Sequence, residues 1–200
     1  MDTEMVALRK NGTWILVNLP EGRVPIGCKW VHKIKENPDG PVSRYKAHLV
    51  AKGFHQQEGF DFNETFSPVI QLVTIHIVLT IGFTKGWSIR QLDVNNNFLN
   101  GGLNEEIYMV QPPSFVDPLH PNKVYKLQKA LYGLKQAPRA WFEKLSIALL
   151  SFGFVSAQYD HSLFVRTTPI HCTYVLVYAD DILVIESHDK VVSSLISELG

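Results

Sequence analysis

The sequence predicts an α+β fold in which an antiparallel sheet is backed by helices. Three stretches carry that expectation. Residues 174–185, YVLVYADDILVI, consist of two arms rich in β-branched and aromatic residues around a short acidic tip, and read as a tight hairpin. Residues 28–35 and 44–52 read as a second, lysine-studded hairpin joined across the turn Asn37-Pro38-Asp39-Gly40. A long apolar stretch between the two opens on Ser67-Pro68 and closes on Gly86, the punctuation of a helix.

The chain can be justified in order from there. Residues 1–11 read as the end of a helix, stopped by Gly12. Residues 13–19, TWILVNL, read as a strand closed by Pro20-Glu21-Gly22. In the strand that follows, Trp30, His32 and Ile34 alternate with Lys29, Val31, Lys33 and Lys35, so one face is basic. That ribbon is either an edge hairpin whose lysines block pairing with other chains or a surface that grips phosphates. Residues 53–66 are a polar and aromatic loop. The helix after it runs from Pro68 to Lys85, is apolar almost all round, and is expected to be buried.

Residues 87–94, WSIRQLDV, form a strand with Asp93 near its C-terminal end, where a carboxylate is either a cap for the next turn or a ligand. Residues 101–121 are mostly loop around a short strand at 107–110, and 124–127 form a further strand. Residues 131–141, LYGLKQAPRAW, are a glycine-proline turn feeding a helix with Pro138 in its first turn. Trp141, Leu145, Ala148, Leu149 and Phe152 fall at helical spacing as a core stripe, and Gly153 closes the helix. Residues 160–166 enter the sheet, and 187–200 begin another helix.

The tip of the 174–185 hairpin is Ala179-Asp180-Asp181. It lacks the Asn-Gly or Asp-Gly that such turns favour, and adjacent like charges repel. The two aspartates are either ordinary turn residues or ligands of a divalent cation, and the second reading requires a third carboxylate from elsewhere.

Composition narrows the classes. The net charge is zero, but Lys and Arg outnumber Asp and Glu in residues 1–60 and 121–145, while acids dominate the rest. That pattern suits either ordinary solvated faces or a protein that holds a polyanion with its flanks and cations with its centre. The two cysteines, Cys28 and Cys172, form no CxxC and no zinc pattern, and suggest a reducing compartment. No signal peptide opens the chain, and the apolar run near 73–83 is too short and too interrupted to cross a membrane. No repeats or low-complexity tracts occur.

Four blocks, QLDVNNNFLNG (91–101), EEIYMVQPPSF (105–115), LYGLKQAPRAW (131–141) and YVLVYADDILV (174–184), stand in this order and at these spacings. Together they resemble the reverse transcriptase domain of copia-type long-terminal-repeat retrotransposons. GTWILVNLP, CKWVHKIK, RYKAHLVAKGF and ETFSPV resemble the same family's fingers region. The resemblance covers nearly the whole chain.

The resemblance implies a right-hand polymerase. Residues 1–67 would be mainly fingers, and 68–200 mainly palm with interleaved fingers residues. Both ends fall inside elements, so the chain is expected to be a fragment lacking its thumb. A thumb and RNase H domain are expected after Gly200, and protease and integrase before Met1. The implied reaction joins a primer 3′-hydroxyl to the α-phosphate of a deoxynucleoside triphosphate with two divalent ions, Mg²⁺ with Mn²⁺ as the alternative. By resemblance the catalytic residues are Asp93, Asp180 and Asp181, and the metal ligands are these three with the main-chain carbonyl of Val94. Lys46, Asn97, Phe98 and Gln136 would bind the nucleotide, Phe98 as the sugar gate. Tyr178, Lys135 and Arg139 would meet an RNA or DNA template with its primer. The bland readings stay open: core packing for Phe98, a turn-stabilising amide for Gln136, solvent exposure for Lys135 and Arg139. No membrane partner is implied, and the location would be cytoplasmic, in a virus-like particle, if the element is expressed.

The sequence also departs from the family pattern. His48 and His76 stand where Arg is usual, Asn97 where a small Ala is usual, Gly102 for Asp and Ser114 for Gly. Arg-to-His is the product of cytosine deamination at CpG, which suggests a decaying copy. The alternatives to a working polymerase are a remnant that binds nucleic acid without catalysis and, further off, a metal-dependent phosphodiester hydrolase.

Overall fold

The structure, a computed structural model, describes residues 1–36, 40, 42–93, 97–179 and 181–187, the side chains of 35, 36, 42–44, 93 and 97 excepted. The turn expected at 37–40 and the helix expected at 187–200 lie largely outside the described residues. The chain divides into two compact units: Met1–Phe66 with Phe98–Trp141, and Ser67–Asn97 with Phe142–Gly200. Strand pairs between named strands are all antiparallel, as an α+β fold requires.

In the first unit, helix α1 (Asp2–Lys10) has acids in its first turn and bases in its last, matching the helix dipole. It buries Met5 and Leu8, and Gly12 at φ 63° turns the chain away. Strand β1 (Trp14–Val17) pairs with β6 (Val124–Leu127), which pairs with β5 (Tyr108–Met109). Trp14 stacks on Tyr125 with centroids 4.6 Å apart. Strands β2 (Cys28–Glu36) and β3 (Val42–Ala51) form the ribbon. Its register sets Cys28 opposite Ala51 and Trp30 opposite Leu49 on the core face, and Lys33 opposite Lys46 on the other, as the alternation predicts. Leu49, Ala51, Met109, Leu127 and Leu131 share one core.

Two glycines fasten that core. A Cβ on Gly53 would lie 2.0 Å from the carbonyl oxygen of Gly133, and one on Gly133, at φ 89°, would lie 2.2 Å from that of Ala51. The Ala51 amide donates to the Tyr132 carbonyl at 2.7 Å. The end of β3 and the 131–141 block thus meet backbone to backbone, at a distance only glycine permits.

In the second unit the sheet order is β4 (Ser88–Asp93), β10 (Asp181–Glu186), β9 (Cys172–Tyr178), β8 (Leu163–Thr167), β7 (Val155–Ser156). Helix α2 (Leu72–Lys85) packs on one face, where Val78 joins a core with Leu176 and Ile185. Gly82 makes the close approach: a Cβ there would come within 2.9 Å of Ile185 Cγ2. Gly86 caps the helix in the left-handed conformation, as predicted. Helix α3 (Ala137–Ser151) begins in the first unit, with Pro138 in its first turn and Trp141 buried, and continues into the second, where Leu145 and Leu149 are buried. Its Phe142 tilts onto Phe164 of β8 at 6.2 Å.

Two expectations need correction. Helix α2 begins at Leu72, not Pro68, because Gln71 is extended and its amide is held at 3.0 Å by Asp160 Oδ2 from the segment before β8. The helix is also not buried all round: Leu72, Val73, Ile77 and Phe83 are exposed, since it covers the sheet with one face only.

Candidate functional site

The acidic hairpin sits in the middle of its sheet. Val175, Val177, Ile182 and Val184 are buried, so the arms are fixed by packing. The register then sets Asp181 opposite Tyr178 on one side and opposite Asp93 on the other. Two blocks far apart in sequence are brought together at one end of the sheet. Asp181 belongs to strand β10 and not to the tip, which shortens the tip to two residues. The first of these, Ala179, has φ 47°, a left-handed conformation that a two-residue hairpin demands and that costs a non-glycine residue about 1 kcal/mol. Asp180, Val94 and the side chains of Asp93 and Asn97 lie outside the described residues.

Asp181 is exposed, and its Oδ1 accepts a hydrogen bond from Gln91 Nε2 at 2.9 Å. Tyr178 is 55% exposed beside it. A cleft of about 230 Å³ opens next to the pair, walled by Ile70, Ile75, Leu176 and Leu183 and completed by Gln91, Tyr178 and Asp181. Among the described residues no three of His, Cys, Asp and Glu converge to hold a metal. The donor set proposed from sequence is nonetheless all oxygen, as a hard cation requires, and Asp181 offers it an exposed carboxylate.

In the first unit, Gln136 is buried and both ends of its amide are occupied: Oε1 accepts from Gln56 Nε2 at 2.9 Å, and Nε2 donates to the Asp61 carbonyl at 2.8 Å. Gln56 Oε1 in turn accepts from the Lys135 amide at 2.8 Å, and Asp61 Oδ2 from the Gln57 amide at 2.9 Å. Lys135 Nζ lies 4.4 Å above the Phe62 ring, a cation–π contact. Arg139 pairs with Glu64 at 3.0 Å. Phe98 is half-buried and meets Tyr132 edge-on at 4.8 Å. Lys46 is half-buried on the basic face of the ribbon. On the same face, His48 Nδ1 lies 3.2 Å from Glu4 Oε1.

Sequence reasoning missed Gln56, Asp61, Gln91 and Asp160. Gln56, Gln91 and Asp160 each reach a distant segment with the side chain, and Asp61 receives Gln136 on its main-chain carbonyl. The clustered amides of 53–66, FHQQEGFDF inside a loop, were the one available signal. Burial raises the Cys28 thiol to about 11 against the pull of Lys52, so it is inert rather than reactive. No helix among the described residues is long and apolar enough to cross a membrane.

Residues 11–200 match the family model described as "Reverse transcriptase (RNA-dependent DNA polymerase)". The chain is 53% identical over 185 residues to the retrovirus-related Pol polyprotein from transposon RE1 of Arabidopsis thaliana, covering 92% of this chain and 13% of that protein. It is 52% identical, with the same coverage, to the Pol polyprotein from transposon RE2 of that plant. It is 42% identical over 201 residues to the one from transposon TNT 1-94 of Nicotiana tabacum, covering 100% of this chain and 15% of that protein. The chain thus spans a small part of the length of the relatives it matches.

Proposed function

We propose that this chain, which belongs to the reverse transcriptase (RNA-dependent DNA polymerase) family of copia-type retrotransposon Pol polyproteins, carries the nucleotidyl-transfer centre of an RNA-directed DNA polymerase. The observation that carries this reading is the register setting Asp181 opposite Asp93, with Tyr178 on its other flank. In this reading Asp93, Asp180, Asp181 and the Val94 carbonyl hold Mg²⁺, with Mn²⁺ as the alternative. Two such ions, when bound, would stabilise the attacking and leaving oxygens of phosphoryl transfer.

The chain's own residues bind and orient. Phe98 sits under the sugar, where a 2′-hydroxyl would clash, and its edge-on contact with Tyr132 supports a fixed ring plane. Lys46 takes the triphosphate and Asn97 lies beside it, while Gln136, buried with both ends of its amide held by Gln56 and Asp61, braces the nucleotide pocket from behind rather than touching the nucleotide. Tyr178, exposed next to Asp181, packs at the primer end. Lys135 and Arg139 face template or primer phosphates. Residues 1–67 would be mainly fingers and 68–200 mainly palm with interleaved fingers residues, with the thumb, RNase H and integrase in other parts of the polyprotein. If the element is expressed, the protein would act in the cytoplasm, in a virus-like particle.

One observation favours a second reading, a remnant that binds nucleic acid without turnover. His48 stands where the family shows Arg, and it is turned to the carboxylate of Glu4 on the basic face of the ribbon. Primer extension on an RNA template with Mg²⁺ or Mn²⁺ decides between them. Extension by this chain and not by Asp180→Asn is the outcome expected of a polymerase core. Salt-dependent binding of template-primer with no extension by either protein would establish the second reading.

A further inference from the structure

We infer that Gln91 is a positioning residue for Asp181, holding one carboxylate oxygen so that the other is presented to a divalent cation. The inference rests on the metal role proposed above for Asp181. Gln91 lies two residues before Asp93 on β4 and pairs in register with Leu183, two residues after Asp181 on β10. From that diagonal position its Nε2 reaches Asp181 Oδ1 at 2.9 Å. The amide can face a carboxylate only with its nitrogen, since the reverse orientation would set two acceptors together.

The residue type fits the task. An exposed aspartate at a strand end turns freely about its side-chain torsions, and a hydrogen bond to one oxygen fixes its plane. A lysine or arginine in that place would fix it too, but would bring a positive charge that competes with the cation. A glutamate would repel it. A neutral donor on a stem of this length orients the carboxylate and leaves its charge for the metal. Among the described residues, no side chain other than Gln91 hydrogen-bonds Asp181, so the orientation depends on Gln91 there.

Titration of the full chain with Mn²⁺, read as loss of the free-ion paramagnetic resonance signal, tests this without needing turnover. Four proteins are compared: the parent, Gln91→Met, Asp181→Asn and the double variant. Orienting partners of metal ligands are commonly worth ten-fold or more in metal affinity, so Gln91→Met is expected to weaken Mn²⁺ binding about ten-fold. The same change in the Asp181→Asn background is expected to cost nothing further, because the group being oriented no longer carries charge. An equal loss in both backgrounds would show that Gln91 acts on the strand and overturn the inference, as would no loss in the parent. Unchanged binding in Asp181→Asn alone would overturn the metal role itself. Gln91→Leu, also neutral and without a donor, serves in the same comparison where the Met variant does not fold, with the same loss of about ten-fold expected in the parent background and none in the Asp181→Asn background.

Discussion

The two long hairpins of this chain carry charge in opposite ways. The β2–β3 ribbon is two-stranded, with Lys29, Lys33 and Lys46 along one face while Cys28, Leu49 and Ala51 fill the other. The β9–β10 hairpin lies inside a five-stranded sheet and is apolar between its charged turn and Glu186 at the far end of β10. Charge on an open ribbon face costs little, so by itself it says little about function. Charge where a buried central pair emerges is confined to a few positions by the packing behind it, and those positions coincide with Asp93 on the neighbouring strand. The location of charge, more than its amount, separates scaffold from candidate chemistry here.

The comparison can be broken most violently at the ribbon's anchor. Gly133→Ala forces a Cβ to 2.2 Å from the Ala51 carbonyl at a φ that L-residues avoid. It is expected to cost about 4 kcal/mol or more, read as loss of soluble protein or collapse of the urea midpoint. The matching change in the other hairpin is Ile185→Ala, which empties a fully buried position against α2. Its expected cost is about 3 kcal/mol by urea denaturation. If Ile185→Ala proves the costlier of the two, the ribbon is not held by the glycine contact.

A smaller effect tests the core face of the ribbon. The folded Cys28 thiol is pushed up to about 11 from its ordinary 9.0, because burial disfavours the thiolate. The unfolded chain releases that proton first, so stability is full below pH 9 and is lost as pH rises through the folded value. The urea midpoint of the parent is expected to fall between pH 8.5 and 10.5 by more than that of Cys28→Val. Equal slopes would mean that the thiol is open to water.

Ser114 has φ 70°, beside the Pro113 carbonyl that accepts from Trp30 Nε1 of β2. Ser114→Gly is expected to stabilise the protein by about 0.5 kcal/mol, the left-handed strain relieved less the entropy glycine adds to the unfolded chain. The smallest effect is on the ribbon's basic face. Lys33 and Lys46 are directly opposed, and Lys33→Glu is expected to stabilise by about 0.5 kcal/mol at low salt, fading as salt rises. A large effect there would contradict the view that this charge is energetically cheap.

Much of the architecture was legible because local patterns decided it. The ribbon's faces followed from alternation, and 124–127 and the glycine stops at 12, 86 and 153 followed from punctuation. What was not legible depended on a partner far along the chain. Asp160 delays the start of α2, and nothing near Ser67 announces it. Asp181 joins β10 because its register continues to Tyr178 and Asp93, which the tip residues alone do not reveal. The sequence leaves Gln136 open between a nucleotide contact and a turn amide. Its partners Gln56 and Asp61 belong to a loop the sequence left featureless. Ser114 was noted only as a departure from the family pattern, and its positive φ supplies the reason glycine is usual there.

The contact between Gly53 and Gly133 also has a meaning for mutating copies of such a gene. Any missense change in either codon installs a side chain where a carbonyl oxygen already stands. These two codons are therefore expected to be under purifying selection for foldability, independent of the aspartates. In a lineage drifting without selection, they would sort copies into those that can still produce a folded chain and those that cannot, whatever the state of the YADD sequence.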